Sequence, residues 1–434
     1  MDDGQASVDA APSAPRLWKR LRSAAVADIG PLRRHREFRL LFISGGVSLA
    51  GSMLTSVAVP FQVYAISHSS LLVGVMSLTL FVPYVTVGIF GGAVADAVDR
   101  RKLVLVTEVG LAVCSALLVA NSVASHPQLW ALLIVNIGMA TLDALQRPSL
   151  AALLPRVVDK ADLPAATAVN MVFLNIGQLV GPALAGVLIA VSGVKLVYGI
   201  DVVSFVLSLV ALIQMRAVPP APDAERPSLA RIAEGFRYAR SRQDLLGTYT
   251  VDMAAMFFGM PEALFPQLAS RLGGPAVLGL LFTAPAIGSL LVSVTAGWAP
   301  RVRRQGRVIV FAAMVWGAGI VVLGIASSLW LAVIGLVIAG GADMVSGLMR
   351  STIWNQSIPD SLRGRLAGIE LVSYTSGPLL GNFEGGAAEA LGGLGFSIVS
   401  GGVACIVATG LLAFALPGLW RYDAGAAGPA GEPG

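Results

Sequence analysis

Charged side chains are scarce in this sequence. Of its 434 residues only 13% are Asp, Glu, Lys or Arg, against 56% that are hydrophobic. No single globular core could hide that much apolar side chain, which excludes an ordinary soluble domain. Cysteine is nearly absent: Cys114 and Cys405 stand far apart without zinc-ligand spacing, so neither a disulfide framework nor a zinc site is expected. The three histidines, His35, His68 and His126, fall outside or at the edges of the apolar runs, and there is no Walker A loop, dinucleotide fingerprint or His/Cys metal set. An enzyme, a cofactor and a bound metal are therefore not expected. Residues 1–37 are polar, with Arg16, Lys19, Arg20 and Arg22 and no apolar core segment, so no cleavable signal peptide is expected.

What the chain has instead is long apolar runs, at 40–66, 71–95, 103–123, 129–149, 165–191, 196–215, 246–268, 275–298, 308–326, 330–350, 366–390 and 396–418. About 20 residues are needed for a helix to cross the hydrocarbon, and only a helix or a closed barrel satisfies its own backbone there. The expected fold class is an all-α membrane protein with twelve transmembrane helices in two pseudo-symmetric six-helix bundles. All but Lys195 and Arg271 of the 30 Lys and Arg residues lie in alternate gaps between runs. By the positive-inside rule both termini of this multi-pass membrane protein are expected in the cytoplasm. The net charge of +5 is thereby explained by insertion topology and anionic headgroups, and nucleic acid is not an expected partner.

Five segments are expected: a cytoplasmic tail at 1–37, a six-helix bundle at 38–215, a cytoplasmic linker at 216–245, a second bundle at 246–418 and a tail at 419–434. The linker begins Pro-rich and turns amphipathic, with Leu229, Ile232 and Phe236 on one stripe and Arg231, Arg237 and Arg240 around it. Elements recur in both bundles. Span five carries Gly181-Pro182 and span eleven Gly377-Pro378; span four ends near Arg147 and span ten at Arg350. Two six-helix halves in parallel repeat with a site between them form a transporter architecture.

Between spans two and three runs Gly92-Ala-Val-Ala-Asp96-Ala-Val-Asp99-Arg100-Arg101-Lys102. It resembles motif A of the major facilitator superfamily, with Asp99 where the usual form has glycine. That variant is similar to the drug:proton antiporter branch, which includes siderophore exporters of the enterobactin type, and the likeness runs nearly end to end. Physically, Gly92 permits close helix approach, Asp96 can cap a helix N-terminus, and Arg100 can pair with an acid on another helix, Arg101 completing the gating motif. The resemblance implies a latch between the halves, with Asp143, Arg147 and Glu370 as its expected partners. Gly177, Gly181, Pro182 and Gly186 resemble motif C, found in exporters of this superfamily, and imply outward transport. Span four reads Asn136-Ile-Gly-Met-Ala where many drug antiporters carry an arginine, so coupling through that arginine is not carried over.

A charge in mid-bilayer costs several kcal/mol, so an acid within a span needs a partner, a wet cavity or a proton (roughly 2.5–3.5 kcal/mol on insertion scales). In the resembling fold, spans one, four, seven and ten line the central cavity. Asp252 is the first candidate for proton coupling, since no basic residue lies within reach along its own helix. Asp343, seven residues before Arg350, is separated from it by about 10 Å of rise and is expected to lack a direct pair. Glu262 beside Pro261 and Glu384 beside Asn382 complete the set. Glu108 and Asp201 are expected at headgroup level, Asp143 to seek Arg100 or Arg147, and Glu370 to pair with Arg363 or Arg365. Desolvation disfavours the ionised form of a carboxylate, the property a proton carrier needs.

The pocket wall is expected from Ser48, Ser52, Thr55 and Ser56, a hydroxyl stripe on span one ending near Gln62, and from Phe257 and Phe258 on span seven. Such a pocket suits amphiphilic or catecholic molecules better than sugars. The expected partners are a small-molecule substrate, protons and the lipid bilayer, with the protein acting as a monomer. The expected activity is secondary export by proton-coupled antiport, the alternatives being a lipid or metabolite carrier and a non-transporting membrane sensor or scaffold.

Overall fold

A computed structural model of the chain describes residues 28–217 and 237–424. The Pro-rich linker with its Leu229, Ile232 and Phe236 stripe, and most of the two tails, lie outside the described residues. The spanning helices are Arg36–Ser67, Ser70–Ala97, Arg100–Val123, Leu129–Val157, Leu163–Ser192 and Val194–Ile213 in the first half. In the second half they are a broken span seven, then Pro275–Val294, Gln305–Gly324, Leu329–Ser357, Asp360–Gly392 and Leu394–Ala415. Among the described residues ten helices are long and apolar enough to cross a membrane. The two that fall short are span seven, which is interrupted, and span eleven, which carries Glu370, Glu384 and Glu389.

Span seven departs from the continuous helix expected at 246–268. It runs Gln243–Gly259, breaks at Met260-Pro261, makes a 3₁₀ turn at Glu262–Leu264 and resumes as Phe265–Leu272. Pro261 supplies no backbone N–H, so the helical ladder loses a bond there. The freed amide of Ala263 donates to Asn382 Oδ1 of span eleven at 2.9 Å, and the carbonyl of Gly259 accepts from Trp316 Nε1 at 3.2 Å. Discontinuous spans of this kind persist only where neighbouring helices satisfy the backbone they release.

The other ends follow local rules. Ser69, Asp99 and Ser328 each accept a backbone N–H from the first turn of the helix that follows. Spans five and eleven terminate at Gly193 (φ 72°) and Gly393 (φ 83°), matched positions where a left-handed residue turns the chain directly into the next span. Trp130 and Trp330 stand one residue inside spans four and ten, 63% and 72% exposed, as an interfacial aromatic belt requires.

The packing repeats too. Span one lies against five and six, three against four and six, and two against four; in the second half seven lies against eleven and twelve, nine against ten and twelve, and eight against ten. A Cβ at Gly181 of span five would press on the Met53 side chain of span one, and one at Gly377 of span eleven would press on Met256 of span seven. The halves meet where span two faces eleven and span five faces eight. At the latter crossing Gly186 and Gly279 lie backbone to backbone, with no room for a side chain on either. We call the side bearing the chain ends proximal and the opposite side distal. Ser70 Oγ donates to Gln267 Oε1 at 2.8 Å and Gln267 Nε2 to Glu389 Oε1 at 2.8 Å, which ties the halves together at the distal side.

Candidate functional site

A cavity of about 610 Å³ lies between the halves, walled mainly by spans one, two, four and five, with Glu262, Phe282, Leu379 and Asn382 contributed by the second half. Ser48, Ser52, Thr55 and Ser56 of span one line it, the stripe read from the sequence. Their roles differ. Thr55 is 4% exposed and its hydroxyl donates to Asp201 at 2.8 Å, while Ser56 donates to its own helix at Met53 O. Gln62 is not on the wall: it is buried and accepts from Tyr198 Oη at 2.8 Å, a tie between spans one and six. Phe257 and Phe258 stack edge to face on each other at 4.9 Å, away from the large cavity. Glu384 borders a separate, minute cleft with Phe258 and Pro261.

The acids are placed differently from the expectation. Asp252 is 6% exposed and directly ion-paired with Arg350 of span ten, which also reaches Asp343 Oδ1 at 3.4 Å and stands 5.5 Å over the ring of Tyr374. Arg350 thus corrects two readings: Asp252 has a cation, from another helix, and Asp343 is bridged to the base two turns away. The reach of the long arginine stem closes the gap that rise alone leaves open. Glu370 faces Arg350 electrostatically, a neighbour other than the expected Arg363 and Arg365, whose side chains lie outside the described residues. In the first half Asp143 accepts from Arg147 Nε at 2.8 Å and from Tyr84 Oη at 2.7 Å, and all three border the cavity.

Glu108 and Asp201, expected at headgroup level, are enclosed by the first bundle. They are 2% and 0% exposed, deep among spans one, three, four and six. Glu108 accepts from Gln146 Nε2 at 2.6 Å and from the Ser208 hydroxyl. Asp201 accepts from Thr55 Oγ1 at 2.8 Å and Ser115 Oγ at 2.6 Å. Position along the chain concealed this, because it is the polar faces of spans three and six bonding to each other that bury the two acids. The available signal was Asp201, Ser204 and Ser208 at i, i+3 and i+7, a polar stripe on an otherwise apolar helix.

Of motif A, Gly92 and Asp96 fall on the last turns of span two and their side chains lie outside the described residues. Asp99 caps span three, accepting from the backbone of Arg101 at 2.9 Å and Lys102 at 3.2 Å. Arg100 donates to Ala152 O of span four at 3.4 Å, while Arg101 caps the end of span six through Leu212 O at 3.0 Å and Ile213 O at 2.6 Å. In motif C, a Cβ at Gly177 would meet Leu49 of span one, as Gly181 meets Met53. Pro182, Gly186 and their neighbours carry the approach to span eight.

Two pseudo-symmetric helical halves around one cavity define a membrane transporter. The chain belongs to the transmembrane secretion effector family of the major facilitator superfamily, whose model matches residues 26–427. It is 27% identical over 376 residues to the enterobactin exporter EntS of Citrobacter koseri, spanning 86% of this chain and 89% of that protein. The likeness to EntS of Shigella boydii is 27% over 366 residues, 84% of this chain and 86% of the relative. Among solved structures it is similar to a POT family transporter in complex with 5-aminolevulinic acid (TM-score 0.70, 12% identity, 89% of this chain and 97% of that one). It is also similar to the nucleoside transporter NupG (TM-score 0.66, 14% identity, 89% and 98%). At these identities the structural likenesses bear on the fold alone.

Proposed function

We propose that the protein is a secondary active exporter of small organic molecules, siderophore-like or amphiphilic and drug-like, exchanging cargo for protons by alternating access. It works as a monomer in a bacterial cytoplasmic membrane with both termini in the cytoplasm. The observation that carries this reading is the cavity of about 610 Å³ between the halves, of a size for a drug-like molecule, lined by apolar side chains, span-one hydroxyls and the carboxylates Glu108, Asp143 and Glu262. The likeness to the enterobactin exporters supports the outward direction and the cargo class. Glu262 stands on that wall beside Asn382 and is the second-half acid best placed to meet cargo. Asp252 and Asp343, held by Arg350, serve as a charge clamp between spans seven and ten, and re-pairing within that clamp accompanies the motion of the halves.

The test uses everted membrane vesicles with an acid-inside gradient and a pH-sensitive dye, to which enterobactin and cationic drugs are added one at a time. A cargo-triggered proton leak is the expected result. Accumulation of labelled cargo with no proton movement would overturn antiport.

A further inference from the structure

Spans three and six are joined by a reciprocal pair of bonds. Glu108 of span three accepts from Ser208 of span six, and Asp201 of span six accepts from Ser115 of span three, so each helix supplies one acid and one hydroxyl seven residues apart. Span one adds a hydroxyl to each rung: Ser44 Oγ lies 2.7 Å from Ser208 Oγ, and Thr55 donates to Asp201. A Cβ at Gly51 would collide with Asp201 Oδ1 and Ser204 Oγ, so span one presses its bare backbone onto this site. Asp201 Oδ1 is fully buried with no hydrogen-bond partner. The two rungs differ in access, because Glu108 borders the cavity and Asp201 is sealed behind it.

Resting on the exporter reading above, we propose that Glu108, backed by Asp201, is the proton-binding site of the transport cycle. Among the described residues no cation bonds to Glu108; its donors are the Gln146 amide and the hydroxyls of Ser208 and Ser48. These partners serve either state of the acid. As a carboxylate Glu108 accepts from Gln146 and Ser208; as an acid it donates to the Ser208 oxygen, since a hydroxyl is donor and acceptor alike. A proton can therefore arrive or leave without stranding a buried polar group, which no acid clamped by an arginine allows at the same cost. The charged and titratable groups around it are Asp201 from span six, Asp143 and Arg147 from span four, Tyr84 from span two, and Arg100 two turns away on span three. Span one presents only the hydroxyls of Ser44 and Ser48 among these neighbours. Arg147 and Tyr84 are spent on Asp143, and Arg100 reaches the span-four backbone. Two like acids that cannot both ionise cheaply then make proton loss from Glu108 sensitive to a cationic or hydrogen-bonding cargo in the cavity.

The experiment has two arms on the full-length chain in liposomes. In the first, dicyclohexylcarbodiimide, which modifies protonated carboxyls in apolar surroundings, is applied from pH 5.5 to 8.5 and adducts are mapped by peptide mass spectrometry. Modification at Glu108 that declines with rising pH, unchanged in Asp252→Asn, is expected. Absence of a Glu108 adduct, or an adduct at Glu262 alone, overturns the proposal. In the second, counterflow and cargo-driven proton uptake are read with ethidium and with enterobactin. Glu108→Gln should lose at least tenfold in protons moved per cargo exchanged, with Glu108→Asp restoring that ratio at a displaced pH midpoint. Full proton movement in Glu108→Gln overturns the site. If the wild type gives no counterflow with either probe, the exporter reading of these cargoes fails, while the first arm still decides Glu108. Should Glu108→Gln not fold, Ser208→Ala takes its place and is expected to displace the pH profile of modification.

Discussion

Arg350 of span ten forms its ion pair with Asp252 of span seven while its other terminal nitrogen reaches Asp343 on its own helix at 3.4 Å. One guanidinium, 3% exposed at the side chain, thus holds two acids of two helices on the proximal side of the second half.

Truncating that arginine leaves a buried carboxylate without its cation, a loss of about 3–5 kcal/mol. Arg350→Ala is therefore expected to lower the thermal midpoint in detergent sharply, and adding Asp252→Ala is expected to recover part of the loss. Equal melting of Arg350→Ala and wild type would remove the clamp from this account.

Asp99, at the position where the superfamily's motif A usually has glycine, is an N-cap. Asp99→Ala should cost about 1 kcal/mol and Asp99→Gly only a few tenths, because glycine leaves the first-turn amides open to water. Thermal melts of the two variants side by side check the ordering.

Tyr198 and Gln62 bond to each other in the core between spans one and six, and the cavity wall lies elsewhere. Tyr198→Phe strands the Gln62 carbonyl and is expected to cost about 1–3 kcal/mol without altering the cargo profile. In the same spirit, a cysteine at Ser52 should react with a maleimide from the aqueous side, and one at Gln62 should be protected.

Gly186 and Gly279 admit no side chain at the crossing of spans five and eight. Gly279→Leu should still insert but should hold the halves apart at the distal side. Cysteines placed at Ser70 and Gln267, whose side chains meet across the halves on the distal side, should then cross-link more slowly. Unchanged cross-linking would mean that the crossing does not set the distance between the halves.

The helices were readable because each must hide its own backbone hydrogen bonds from lipid, a local demand that writes itself as an apolar run. Span seven escaped that reading: Pro261 is visible in the chain, yet whether it kinks a helix or ends one depends on Asn382 and Trp316, which arrive from spans eleven and nine. The hydroxyl stripe of span one was legible from helical periodicity alone, and Ser48, Ser52, Thr55 and Ser56 do border the cavity. The acids were not, since position along a helix says nothing about which face meets which neighbour.

By itself the sequence determined the membrane setting, the twelve crossings, the two-fold repeat with its matched Gly-Pro pairs and the family motifs. The first two follow from composition and run length, the repeat from matching one half of the chain against the other, and the motifs from a family resemblance. Only the tertiary structure decided which acids hold a cation and which do not: Asp252 and Asp343 share Arg350, Asp143 has Arg147, and Glu108 and Asp201 rest on neutral donors. The physical reason is range. Solvation by lipid acts on a segment alone, whereas the state of a buried charge is set by the few atoms within hydrogen-bond reach, and in a bundle those atoms belong to other helices.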